Sequence, residues 1–165
     1  MKSEKLSLRL AGAEDDAFLL ALYASTRAAE MVAWGWTEAQ AQAFLQMQFR
    51  AQRGHAAYPN ATEQIIEWEG QAVGHWLIAR PKREIRLVDV ALLPSHQRLG
   101  IGTHLLQDLQ RTARAERLPI RLHVAYDNPA RFWYEQHGFN LLEDRGSHWL
   151  MEWRHSSKEE DRKGT

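Results

Sequence analysis

The run Gln97-Arg98-Leu99-Gly100-Ile101-Gly102-Thr103 follows an apolar stretch and opens an amphipathic one, the pattern of a strand that passes through a glycine turn into a helix. Such a turn aims backbone N–H groups and the positive end of the helix dipole at an anion, and Arg98 adds a cation beside them. Two glycines at a strand-to-helix turn also serve tight packing, so the residues alone leave both uses open. Two competing phosphate motifs fail on spacing. A dinucleotide fingerprint needs a third glycine where Leu105 stands, and a P-loop needs Gly-Lys-Ser/Thr, which is absent.

Candidates for acid–base work are few. Asp89 shares strand parity with Leu87, Ala91 and Leu93, which puts a carboxylate on an otherwise apolar face. A buried carboxylate needs a partner, and anchoring a loop or pairing with an arginine is a commoner use for it than catalysis. Glu67 and His75 are weaker alternatives for a base. His75, between Gly74 and Trp76, reads as a hydrogen-bonded cleft or core residue. No second histidine stands at a metal-compatible spacing, so no metal site is expected. Tyr134, with Phe132 and Trp133, reads from spacing alone as the aromatic face of a short helix as readily as a functional group.

These residues must be positioned by a recognisable series of elements. Leu6, Leu8 and Leu10 alternate with polar or small residues as a half-buried opening strand, ended at Gly12. Phe18, Leu19, Leu22 and Tyr23 mark one helix, and Phe44, Leu45, Met47 and Phe49 mark a second that begins at Thr37-Glu38, with a loop expected over Met31 to Trp36. Glu63 to Trp68 and Ala72 to Ala79 read as strands joined through Glu69-Gly70-Gln71, which has the composition of a hairpin turn. Ile85 to Leu93 is the most apolar run, predicted as a central strand buried on both faces and stopped by Pro94. Ile101, Leu105, Leu109 and Ala113 then recur at helical spacing. Ile120 to Tyr126 reads as a strand, Pro129 to His137 as a short helix, and Phe139 to Leu142 with His148 to Trp153 as a closing strand pair. The order is that of a mixed α/β sheet.

The chain has 165 residues with 21 Lys plus Arg against 21 Asp plus Glu. That length fits one domain, residues 1–155, ahead of a charged, frayed tail at 156–165. A net charge of zero gives no global field for nucleic acid or an anionic membrane, and neither is expected as a partner. Without cysteine there is no disulfide scaffold and no thiol nucleophile. The opening residues lack the apolar run of a signal peptide and no segment is apolar enough to span a bilayer, which predicts a soluble cytoplasmic protein.

The glycine loop, with Gln97, Gly100 and Gly102 in place, resembles the Gln/Arg-x-x-Gly-x-Gly/Ala signature of the GCN5-related N-acetyltransferases (GNAT). The likeness continues downstream, where that family carries an Asn, a short helix with a Tyr, and then Gly-Phe. Here Asn128-Pro129-Ala130-Arg131-Phe132-Trp133-Tyr134 leads to Gly138-Phe139. The resemblance implies the GNAT fold, a mixed, mostly antiparallel twisted sheet of about seven strands with about four helices and a splayed parallel central pair. It implies acetyl-CoA as co-substrate and a primary amine of a small molecule or peptide as acceptor; a non-catalytic CoA-binding or sensor domain is the alternative. Carried over position by position, the backbone of Val90, Ala91 and Leu92 would hold the pantetheine arm. The amides from Gln97 through Arg98, Leu99, Gly100, Ile101 and Gly102 to Thr103, with the Arg98 side chain, would hold the pyrophosphate. Asn128 would meet the pantetheine amide, and Tyr134 would protonate the leaving thiolate. The acceptor cleft would be walled by Trp34, Trp36, Gln48, Gln52, His55 and Tyr58. Dimers are common in the family, so a homodimer is compatible with the likeness. Leu99 departs from the pattern where a second Arg-Gly step is often seen, and Ser95-His96 where an acidic or aromatic residue is common; neither removes a backbone N–H.

Overall fold

The computed structural model describes residues 5–53, 61–126 and 128–155. Its strands are β1 (Leu6–Leu10), β2 (Thr62–Trp68), β3 (Gln71–Ala79), β4 (Ile85–Leu92), β5 (Ile120–Ala125), β6 (Asn140–Asp144) and β7 (His148–Trp153). Its α-helices are α1 (Asp16–Ala33), α2 (Glu38–Arg53), α3 (Ile101–Glu116) and α4 (Ala130–Gln136), with short 3-10 turns at Ala13–Asp15 and Pro94–His96. The strands form one sheet in the order β1-β2-β3-β4-β5-β7-β6. The crossover from β4 through α3 makes β5 parallel to it, in the register Ile85↔Ile120 and Arg86↔Arg121. The pairs β1–β2, β5–β7 and β7–β6 are antiparallel. The elements group into two compact units, Met1–Leu77 with Asp89–Gly102, and Ile78–Val88 with Thr103–Thr165.

In the first unit, β2 and β3 are joined by Glu69 and Gly70, both at positive φ (52° and 82°), the turn geometry that matches strand twist in a two-residue hairpin. Helix α2 starts on a reciprocal cap. Thr37 Oγ1 accepts from the Gln40 amide at 3.1 Å and Gln40 Oε1 accepts from the Thr37 amide at 3.0 Å. Between α1 and α2 lie the buried Ala24, Met31, Ala41 and Leu45, with Tyr23, Trp36 and Phe44 against them. Arg9 on β1 donates to both Asp15 oxygens at 2.8 and 2.9 Å and to Glu67 Oε2 at 2.8 Å, tying the strand to the start of α1 and to β2.

In the second unit, Ile85, Leu87, Ile120, Leu122 and Met151 of the strands are buried, as are Leu106, Leu109 and Ala113 of α3, which lie on the apolar stripe that the spacing predicts. α3 ends where Arg117 turns to φ 59° and the Leu118 amide reaches back to the Ala113 carbonyl at 2.9 Å, closing the last turn. An ionic ladder crosses the strands. Arg86 Nε donates to Glu84 Oε2 at 2.8 Å, Arg121 bridges Glu84 at 3.2 Å and Glu152 at 2.8 Å, and Arg154 completes Glu152 at 2.9 Å. Glu84, buried as a residue, is thus paired with two guanidinium groups, as a charge removed from water must be.

Three expectations are corrected. The loop predicted at Met31 is helical through Ala33, because no breaker precedes Gly35 and Met31 has the α1–α2 cluster to fill. On β1 only Leu6 is buried, while Leu8 and Leu10 are exposed, since an outer strand has a neighbour on one side only. β4 is not buried on both faces: Ile85 and Leu87 are covered, but Asp89 is exposed and the strand end is half-buried.

Gly74 on β3 fixes the spacing to β4. A Cβ there would stand 2.3 Å from the Ala91 carbonyl oxygen and 2.8 Å from Leu92 Cδ2. Backbone cannot yield as a flexible side chain does, so Gly74→Ala should cost about 2 kcal/mol in a urea titration. Gly70→Ala, where φ is positive but the space is open, should cost about 1 kcal/mol. Equal midpoints for the two variants would remove the close approach as a constraint.

Candidate functional site

In the first unit the candidate groups are built by the end of β4 and the loop after it. Val90, Ala91 and Leu92 are half-buried. The Leu93 amide still donates to the Val73 carbonyl at 2.8 Å, so the strand end is held to β3. The 3-10 turn at Pro94–His96 follows, and the Gln97 side chain folds back, its Nε2 donating to the Leu92 carbonyl at 3.0 Å. The glutamine of the signature is therefore a staple for its own loop, and its backbone amide also turns inward, donating to the Pro94 carbonyl at 3.4 Å. Arg98 and Gly100 both take positive φ (66° and 82°) on either side of Leu99, and all four residues 97–100 are exposed. A positive φ is uncommon for arginine. A Cβ on Gly100 would meet nothing within 4 Å, so this glycine is required by conformation and not by protein packing.

Helix α3 begins at Ile101, whose side chain is buried, so this residue offers a ligand its backbone alone. The first amides of an α-helix have no partner within it, and the dipole adds partial positive charge there. Ile101 and Gly102 supply such amides at the end of the first unit.

In the second unit, Thr103 continues that first turn, and its hydroxyl accepts a hydrogen bond from Trp133 Nε1 at 3.2 Å. Asn128 is exposed, and its Oδ1 accepts from the Ala130 amide at 2.9 Å, shaping the entry to α4. Among the described residues its Nδ2 has no hydrogen-bond partner, which leaves a donor for a ligand carbonyl. Tyr134 is buried, its ring edge-on to Phe139 at 5.5 Å and tilted against Trp133 at 5.0 Å. The aromatic-face reading of this helix is therefore correct for the ring of Tyr134.

A polar line crosses the first unit. His75 on β3 faces Glu63 of β2 through Nδ1 at 3.1 Å and Asp89 of β4 through Nε2 at 2.7 Å. Asp89 does not lie on a buried apolar face and, among the described residues, does not pair with an arginine; its side chain is 58% exposed and its partner is His75, 13% exposed. Burial alone would push the His75 imidazole down, but the hydrogen bonds it donates to Asp89 and Glu63 outweigh it and raise its pKa to about 9. His75 is thus an imidazolium through neutral pH, with both ring N–H groups donating. Glu67, the other candidate base, is committed to Arg9. Glu63 was not singled out by sequence reasoning.

On the expected acceptor side, Gln48 accepts a hydrogen bond from the Tyr23 hydroxyl at 3.0 Å and Trp36 packs on Phe44 at 5.1 Å. Trp34 is 73% exposed and, with Gly35, Trp36, Ala43, Phe44 and Met47, lines a hollow of about 690 Å³. The side chain of Gln52, and His55 and Tyr58 altogether, lie outside the described residues. Among the described residues no group of three or more His, Asp or Glu could hold a metal ion, and no helix is long and apolar enough to cross a membrane.

The fold has solved counterparts. The PaiA N-acetyltransferase of Thermoplasma acidophilum, solved in complex with coenzyme A, superposes with a TM-score of 0.69 at 17% identity over 91% of this chain and 99% of that one. The spermidine/spermine N-acetyltransferase SpeG of Vibrio cholerae, solved with manganese ions, gives 0.62 at 19% identity over 96% and 97%. The ribosomal-protein-S18-alanine N-acetyltransferase of Escherichia coli gives 0.63 at 17% identity over 92% and 94%. Comparison of the sequence with curated proteins returns no match. Residues 19–139 match the Acetyltransferase (GNAT) family, which is most of the chain, and the protein accordingly belongs to that family of acetyl-CoA dependent N-acetyltransferases.

Proposed function

We propose that this transferase, residues 1–155, acetylates a primary amine of a small molecule or peptide in the cytoplasm by direct attack of the amine nitrogen on the thioester carbonyl of acetyl-CoA. The observation that carries the reading is the loop after β4, where Arg98 and Gly100 at positive φ precede the first turn of α3. Backbone amides presented in that way suit a diphosphate better than any other common ligand. Arg98 adds a charge-assisted contact, stronger than a neutral one.

Each further group is given a part of the same co-substrate. The backbone of Val90, Ala91 and Leu92 carries the pantetheine amides as an added strand would, with Gln97 already holding one lone pair of the Leu92 carbonyl. The Nδ2 of Asn128 donates to a pantetheine carbonyl. The Tyr134 hydroxyl gives its proton to the sulfur as the C–N bond is completed and the C–S bond breaks. The proton lost from the amine nitrogen restores the balance, so the products are the amide and the free thiol. Positioning both reactants removes much of the entropic barrier before any proton moves.

Two substitutions test the reading. Tyr134→Phe keeps the ring against Phe139 and should lower kcat about 100-fold, while calorimetry shows acetyl-CoA binding within about twofold of wild type. An unaltered kcat removes the assigned role. Gly100→Glu forces a side chain onto φ 82° and sets a carboxylate beside the diphosphate; it should weaken acetyl-CoA binding at least about tenfold. Undiminished binding would dismiss the loop as the diphosphate site.

A further inference from the structure

The Glu63–His75–Asp89 line has no part in holding the co-substrate, yet its exposed end lies one residue before the strand segment assigned to the pantetheine arm. An arm that leaves the diphosphate at residues 97–102 and passes Leu92, Ala91 and Val90 runs backward along β4. The next position it reaches is Asp89, about 3.3 Å further on at strand spacing. The thioester end is therefore delivered to this carboxylate, if the assignment of Val90–Leu92 holds, and the inference rests on that reading.

We infer that Asp89 binds the ammonium group of the acceptor through Oδ1, and that His75 and Glu63 are positioning residues that lock its carboxylate. Exposure rises along the line, from 13% at His75 and 23% at Glu63 to 58% at Asp89, so Asp89 is the member that solvent-borne molecules reach. Its Oδ2 accepts from His75 at 2.7 Å, and among the described residues Oδ1 has no hydrogen-bond partner. The charged groups that face His75 are Glu63 from β2 and Asp89 from β4. The carboxylate of Asp89 stands at the exposed end of the line, which favours a cationic acceptor over a neutral one. His75 is excluded as the direct base in this resting form, because each ring nitrogen already donates to a carboxylate. The acceptors selected are aliphatic amines that carry an ammonium at neutral pH.

The test pairs binding with kinetics on the full chain. Calorimetry with acetyl-CoA comes first: Asp89→Asn should bind it as wild type does, and failure of wild type to bind would sink the co-substrate reading and, with it, the route to Asp89. Methylamine, 1,4-diaminobutane and an alanine-initiated peptide are then compared as acceptors with aniline, which is neutral at this pH. Asp89→Asn should raise KM for the cationic amines about tenfold with kcat little changed, and leave KM for aniline unmoved. If wild type turns over none of them, titration of 1,4-diaminobutane into the coenzyme A complex reads the same contact, again weakened about tenfold in the variant. Equal KM or binding in wild type and variant, or no amine binding by wild type in either assay, overturns the inference.

His75→Gln separates positioning from proton transfer. The ratio of kcat/KM, wild type over variant, cancels the titration of the amine itself. It should exceed one at neutral pH and fall toward one as pH rises through about 9, where wild type loses its imidazolium. A ratio that climbs through that range would make His75 a base and overturn its positioning role.

Discussion

The amides at the start of α3 cannot be satisfied by the helix they begin, and among the described residues no backbone carbonyl outside that helix meets those of Ile101 and Gly102. Pro94 ends β4 in a 3-10 turn, Gln97 staples the loop to the Leu92 carbonyl, and Arg98 and Gly100 turn the chain through positive φ. Without the staple, a loop of exposed residues would have many conformations and would lose entropy on closing around an anion. With it, most of that ordering is already present in the free protein.

That arrangement depends in turn on β4 changing character along its length. Its first half is buried at Ile85 and Leu87 and paired to β5 at Ile85 and Arg86. Its second half is half-buried, exposes Asp89, and is held from the β3 side by Val73 and by the close passage of Gly74. A strand paired along both edges throughout would have no backbone to offer a ligand, whereas the pairing of β4 to β5 is at Ile85 and Arg86. The sequence hides this change, because Val90, Ala91 and Leu92 are as apolar as Ile85 and Leu87. An apolar residue that faces a bound molecule and one that faces the core look alike in composition.

The strand–turn–helix unit and the Glu69-Gly70 hairpin were legible because each is written in local chemistry: glycine where φ is positive, apolar residues at helical spacing, a proline as a stop. The end of α1 was not, since Val32 and Ala33 carry no periodicity and only the packing of Met31 between two helices decides it. Glu63 was missed for a register reason. A strict two-residue hairpin sets Trp68 against Gln71 and so faces His75 with Gln64, whereas the side chain that meets His75 is Glu63. No local signal encodes that offset. The balanced total charge is equally uninformative, because it averages segregated networks: Arg9 with Asp15 and Glu67, the Glu84-to-Arg154 ladder, and the His75 line.

The segregation has a consequence for the two reactants. Arg98 and the helix dipole put positive potential at one end of residues 89–98, and Asp89 puts a carboxylate at the other. In the proposed site, a co-substrate with its charge in a diphosphate and its reactive bond at the far end of a neutral arm would fit that polarity in one direction only, with the diphosphate at the loop. On the proposed reading a cationic amine would be repelled from the loop and drawn to Asp89, so the same field that orients one reactant would keep the second from competing for its place. The clamp by His75 matters here because a carboxylate held by an imidazolium stays in one rotamer, and an amine bound to it has a fixed approach to the thioester. Neutrality overall and polarity along one strand are therefore compatible.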